Sequence, residues 1–160
     1  MQALRIRTAQ YDDLTPLLAL YEHLNPEDLP LPPAAELEDL WNQILEREVP
    51  LLFLAEMNGV LVGSCALAVI PGLTRGARPF GTIENVVTHA DYRQQGIGTK
   101  LMEHAVACAW ERGCYKVMLM TGSKREETLR FYEHAGFHRG VKAGFVMWNP
   151  QVQLPPRPAR

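Results

Sequence analysis

The sequence has no surplus of positive charge. Its 160 residues carry 16 lysines and arginines against 18 aspartates and glutamates, a formal net charge of −2. Phosphate-backbone binding needs basic side chains in excess on one face, so no nucleic-acid partner is expected. Cysteine is scarce, and Cys65, Cys108 and Cys114 form no C-x-x-C pair. This excludes a disulfide framework or a cysteine-built zinc site and suits thiols in a reducing cytosol. Apolar runs are short of the roughly 20 residues needed to cross a bilayer, so no membrane partner is expected. The opening MQALRIRTAQ lacks the apolar stretch of a signal peptide, and the expected location is the cytoplasm. His23, His89, His104, His134 and His138 show no metal-ligand spacing, so no metal is expected either.

What is present is the balance of a globular protein, 47% apolar and 21% charged, at a length that suits one buried core. Residues 3–8 alternate apolar and charged side chains, as a half-buried strand does. Asp12 or Asp13 can cap a following helix with Leu14, Leu17, Leu18, Tyr21 and Leu24 at helical spacing. The proline-rich NPEDLPLPP (25–33) breaks the pattern, and Leu37, Leu40, Trp41, Ile44 and Leu45 then mark one face of a second helix. LLFLAEM (51–57) and VLVGSCALAVI (60–70) flank Asn58-Gly59, a dipeptide suited to a type I′ turn, which predicts a β-hairpin.

Residues 71–80 read as a loop, 81–89 as a strand, and 91–98 as a polar glycine-bearing turn into a long helix that ends at Gly113. YKVMLMT (115–121) reads as a strand. Ser123 and Glu126 suit a capping box for a last helix ending near Gly136, and Phe145 to Trp148 reads as a final strand. The domain is expected over 1–149, with a frayed proline-rich tail at 150–160. The element order, β-α-α-β-β-β-α-β-α-β, predicts an α/β fold: one mixed, mostly antiparallel sheet with helices on both faces.

The most informative segment is Arg93-Gln94-Gln95-Gly96-Ile97-Gly98-Thr99. Glycine lets ligand atoms approach the backbone. The first turn of a helix leaves N–H groups unpaired and carries partial positive charge. Together they suit a phosphate or pyrophosphate, while a plain strand-to-helix turn would use the same residues. The P-loop pattern fails, because one residue rather than four separates the glycines. The dinucleotide pattern fails, because Leu101 stands where its third glycine belongs.

The run YRQQGIGTKLMEHAV resembles the signature of the GNAT superfamily of N-acetyltransferases, Arg/Gln-x-x-Gly-x-Gly/Ala at a helix start. FYEHAGF (131–137) resembles that superfamily's second hallmark, a Phe/Leu-Tyr pair followed by Gly-Phe. The likeness covers roughly 3–148. The region IENVV…GCYKVML…FYEHAGF is also similar to the glucosamine-6-phosphate N-acetyltransferase branch, although Thr128 stands where that branch often has asparagine.

The resemblance implies direct acetyl transfer from acetyl-CoA to the amine of a small-molecule acceptor. Val86, Val87 and Thr88 would pair with pantetheine through their backbones, and a backbone N–H, such as that of Val87, would polarise the thioester carbonyl. Tyr132 matches the tyrosine that protonates the departing sulfur, and a phenol of pKa near 10 suits that task. Glu84, mid-strand, would act as base or bind the acceptor ammonium; facing solvent is its bland alternative. Arg75 and Arg78 could hold an anionic acceptor, or stand as solvated loop arginines. His89 reads as a surface residue. Protein acetylation and a non-catalytic acyl-CoA-binding module are the competing functions. Dimers are common among the proteins it resembles, with the edge of a last strand as the natural contact.

Overall fold

A computed structural model describes residues 4–154. β1 (Leu4–Thr8) leads through a short 3-10 turn into α1 (Leu14–Tyr21), followed by α2 (Ala34–Arg47). β2 (Leu51–Met57), β3 (Val60–Ile70) and β4 (Phe80–Thr88) come next. The chain then forms α3 (Ile97–Glu111), β5 (Val117–Leu119) and α4 (Glu126–His134). The strands lie in sequence order in one sheet, antiparallel from β1 to β4, with β5 parallel to β4.

The β2–β3 hairpin closes as its sequence predicts. Met57 pairs with Val60 around Asn58 and Gly59, whose φ values of 53° and 77° are those of a type I′ turn. Its apolar run LLFLA is continuous because both sheet faces are covered. Leu51, Phe53 and Ala55 meet Leu101, Met102, Ala105 and Ala109 of α3. Leu52 and Leu54 turn the other way, toward Leu17 and Leu20 of α1 and Trp41 of α2. Each such buried leucine stabilises the fold by about 1.5–3 kcal/mol. Trp41 also donates its indole N–H to the carbonyl of Tyr11 at 2.9 Å, tying α2 to the 3-10 turn that precedes α1.

Several local expectations give way to tertiary contacts. Asp13 stands at the N-cap of α1, but its side chain makes no cap bond to the helix. Its carboxylate accepts from the Gln10 backbone N–H at 2.7 Å and takes both arms of Arg7 at 2.6 and 2.8 Å. Leu40 leaves the buried face of α2 and is exposed, because Trp41 fills that position against the sheet. The Ser123–Glu126 box does not form: α4 starts after Arg125, and Ser123 Oγ instead accepts the Arg125 N–H at 3.3 Å.

The expected strand at 145–148 is absent from the sheet of the described residues, and β5 is shorter than the predicted 115–121. Of the expected tail, residues 150–154 are described and 155–160 lie outside the described residues. No described helix is long and apolar enough to cross a membrane.

Candidate active site

β4 and β5 begin side by side and then part. Gly81, Thr82 and Ile83 face Val117, Met118 and Leu119, and no later residue of β4 has a β5 partner among the described residues. The parting opens a cleft of about 980 Å³ between the C-terminal half of β4, the start of α3 and the β5–α4 segment.

β4 is also irregular where it parts. Ser64 of β3 faces Val87, yet Ala66 faces Glu84, so Cys65 lies opposite both Asn85 and Val86. Asn85 takes up the extra residue with φ of 52°, a left-handed conformation that asparagine tolerates better than most residues. Without the bulge, Glu84 and Val87 would point to opposite faces. With it, Ile83 and Val86 both pack toward α3, while Val87 packs toward α1. Glu84, opposite in sense to Ile83 and paired with Ala66, is thereby turned to the α1 side and lines the cleft.

The same ladder corrects the role expected of Val87. The His89 N–H donates to the carbonyl of Val62 at 2.9 Å. Antiparallel alternation makes Val87 and Ser64 the next hydrogen-bonded pair. The Val87 N–H is therefore directed to β3 and cannot polarise a thioester. The backbone groups of Val86 and Thr88 point the other way, to the open edge. The Thr88 carbonyl already accepts the Nε–H of Arg93 at 3.4 Å.

At the glycine loop, φ is positive at Gln94 (61°) and Gly96 (76°) but not at Gln95 between them. Such alternation turns successive N–H groups to one concave side, as in anion-binding nests. The free N–H groups of Ile97, Gly98 and Thr99 in the first turn of α3 adjoin it. The two glycines have different jobs. A Cβ on Gly96 would meet nothing within 4 Å, so its requirement is conformational. A Cβ on Gly98 would lie 3.1 Å from the Phe131 ring, so a side chain there would press on the ring where α4 packs on α3.

Tyr132, the neighbour of Phe131, lines the cleft and packs against the α3-side core. Burial pushes its phenol above the ordinary tyrosine value, and the nearby charge of Glu84 pushes it further in the same direction. A raised pKa keeps the proton on the phenol at neutral pH, as an acid catalyst requires. Burial also pushes the Cys65 thiol up to about 12 and that of Cys114 above its usual range, which leaves both inert as nucleophiles.

Residues 17–137 match the model of the Acetyltransferase (GNAT) family. The chain belongs to this acetyltransferase family. It is 34% identical over 137 residues to a glucosamine 6-phosphate N-acetyltransferase of Trypanosoma brucei brucei, covering 84% of this chain and 88% of that protein. A solved putative acetyltransferase from Agrobacterium tumefaciens superposes with a TM-score of 0.84 and 39% identity, covering 91% of this chain and 99% of its own. The glucosamine-6-phosphate N-acetyltransferase of Arabidopsis thaliana shares the fold at a TM-score of 0.76 with 20% identity, over 92% and 99% of the two chains.

Within this acetyltransferase, one cleft gathers Glu84, Val86, Val87, Thr88, Arg93, Gln94, Gly96, Ile97, Gly98, Thr99 and Tyr132. Gln95 is not part of the lining. Arg75 and Arg78 are not brought to it. They sit exposed on the β3–β4 loop, at the end of β4 away from the bulge. His89 is no surface residue. It is half-buried, its ring 4.1 Å from that of His23 and 5.4 Å from that of Tyr92.

Sequence reasoning missed the α1–α2 segment, where His23, Asn25, Glu27 and Asp28 line the cleft. It also missed Ser123, Arg125 and Thr128 opposite them; the Ser123 and Thr128 hydroxyls bond each other at 3.2 Å. The available signal was a pair of carboxylates inside a proline-rich break, which fixes no direction by itself.

Proposed function

We propose that the protein transfers the acetyl group of acetyl-CoA directly to the amine of a small-molecule acceptor. The observation that carries this reading is the meeting, in one cleft, of an open β4 edge at a bulge, a glycine loop of alternating left-handed residues at a helix start, and a half-buried tyrosine whose phenol is pushed above its ordinary range.

The loop amides from Gln94 to Thr99 would seat the pyrophosphate, and the open edge at Val86 and Thr88 would take pantetheine as an added strand. With Val87 turned to β3, the N–H that can polarise the thioester carbonyl is that of Val86 or of Asn85 in the bulge. Tyr132 donates its proton to the departing thiolate. Glu84, with Glu27 and Asp28 also lining the cleft, attracts the acceptor ammonium. Glu84 takes its proton directly or through a water, so that the neutral nitrogen attacks. Holding both reactants along β4 supplies much of the acceleration.

The likeness to a glucosamine 6-phosphate N-acetyltransferase makes amino-sugar phosphates the first acceptors to test. A phosphate on such an acceptor would have to meet Arg93 or Arg125, which line the cleft, rather than Arg75 or Arg78. Thermal unfolding with acetyl-CoA, CoA and NAD tests the cofactor seat. A ligand at a hundred times its Kd adds about 2.7 kcal/mol of stability. Both CoA species should raise Tm and NAD should not; no rise with either CoA species overturns the reading. Thiol release with amino sugars, amino acids and polyamines then identifies the acceptor.

A further inference from the structure

α3 stops at a glycine. Gly113 has φ of 78°, in the left-handed region, and turns the chain back onto the helix. The Gly113 N–H donates to the carbonyl of Trp110 at 2.9 Å, and the Cys114 N–H to that of Ala109 at 3.0 Å. These two bonds make a Schellman closure, in which the residue after the glycine packs its side chain on the last turn of the helix. That residue is Cys114, and the turn beneath it carries Cys108. Both belong to the α3-side core, Cys114 buried and Cys108 half-buried.

Two further observations join the thiols. Burial is the main cause of the raised Cys114 pKa, and the nearness of Cys108 adds to it. Arg112, between them in sequence, donates its Nε–H to Cys108 Sγ at 3.4 Å and bonds Glu48, at the end of α2, at 3.2 Å. A guanidinium against a partly accessible sulfur is the setting in which thiols react with peroxide. Cys65 has no such neighbour: it is fully buried in β3, with its Sγ 3.8 Å from the Leu101 carbonyl.

We propose that Cys108 and Cys114 form a peroxide-sensitive pair that closes into a reversible disulfide across the end of α3. The Cys108 sulfur attacks hydrogen peroxide, becoming a sulfenic acid and releasing water. The Cys114 sulfur then attacks the sulfenic sulfur, the S–S bond forms, and hydroxide leaves with the thiol proton as a second water. Two thiols are oxidised by two electrons and one peroxide is reduced to two waters. Cys114 holds its proton and is inert toward reagents in solution, but Cys108 is presented to it within the fold. The glycine loop lies at the opposite end of α3, about 22 Å away at 1.5 Å per residue. The inference is therefore independent of the acetyl-transfer reading.

Peptide mass spectrometry on the full chain tests it. The protein is treated with hydrogen peroxide, its free thiols are blocked in urea, and it is cut with trypsin without reduction. Peptides 101–112 and 113–116 should be recovered joined, two hydrogens below their summed mass, with Cys65 blocked. Dithiothreitol should undo the link. Cys114→Ser should leave Cys108 as a sulfenic acid that dimedone traps, and Arg112→Gln should slow the joining. Recovery of both cysteines as blocked thiols overturns the proposal, as does Cys108 in sulfinic form beside a free Cys114, or a link that runs only between chains. The unmodified protein decides each of these outcomes, whether or not the variants fold.

Discussion

Glu84 on β4 and Tyr132 on α4 line the same cleft, and the carboxylate lies close enough for its charge to raise the phenol's pKa. Burial is the larger cause and Glu84 the second. The two groups on which the proposed chemistry rests are therefore coupled. A negative Glu84 favours the protonated phenol of Tyr132, ready to donate.

Replacing Glu84 by Gln removes a charge that disfavours the phenolate, so the Tyr132 pKa should fall. Difference titration of phenolate absorbance, with and without Tyr132→Phe on each background, measures it. A midpoint that stays put or rises in Glu84→Gln would show that the two groups do not communicate.

Tyr132→Phe should lower kcat by about 10²- to 10⁴-fold, the usual worth of a general acid, while acetyl-CoA still raises Tm. Glu84→Gln should depress kcat/KM for the amine most strongly at low pH, where the acceptor is an ammonium. Equal losses at every pH would argue against a role in ammonium capture or deprotonation. Steady-state thiol release across pH separates these cases.

The glycines of the loop should fail differently. Gly96→Ala forces a side chain into a left-handed conformation, at a cost of about 1–2 kcal/mol, with no new contact. Gly98→Ala presses on the Phe131 ring and should cost about 1–3 kcal/mol by overpacking. Trimming Phe131 to Leu should therefore rescue Gly98→Ala and leave Gly96→Ala unrelieved. Chemical denaturation of the double variants measures both, and equal rescue of the two would refute the distinction.

The Arg7–Asp13 pair makes stability depend on acid. Hydrogen bonding to Arg7 holds the Asp13 carboxyl below its ordinary 3.8, with the Gln10 N–H adding to the effect. A depressed folded-state pKa means the contribution is complete above 3.8 and is lost as pH falls through the lower folded value. Asp13→Asn should cost about 2–3 kcal/mol at neutral pH, with the deficit shrinking as the unmodified protein is acidified below that window. A deficit that is constant with pH, measured by urea unfolding, would rule out the ion pair as its source.

Much of the frame was legible because it is encoded by adjacent residues. Asn58-Gly59 admits the left-handed conformations of its turn, and the strands on either side follow. Gly96-Ile97-Gly98 before an apolar helical stripe marks the loop, and Phe131-Tyr132 marks the helix that packs on it. Short-range steric rules act over two to four positions and need no partner to be read. Asp13, Ser123 and Leu40 were misjudged for the complementary reason. Each has a favourable local role, and a distant group, such as Arg7 for Asp13 or the sheet beneath Trp41 for Leu40, offers or demands a better one.

The patterning of the chain by itself indicated an α/β domain, and the motifs at 93–99 and 131–137 carried its resemblance to the acetyltransferase family. Folding decided which backbone groups face the cleft, that Glu84 turns toward α1, that Glu27 and Asp28 join it, and that Arg75 and Arg78 do not. It also decided that residues 145–148, strand-like in sequence, find no edge in their own sheet. Those outcomes depend on one extra residue at Asn85 and on where β4 and β5 separate. Both are properties of pairing between segments far apart in the chain, and pairing register is not written in either segment alone.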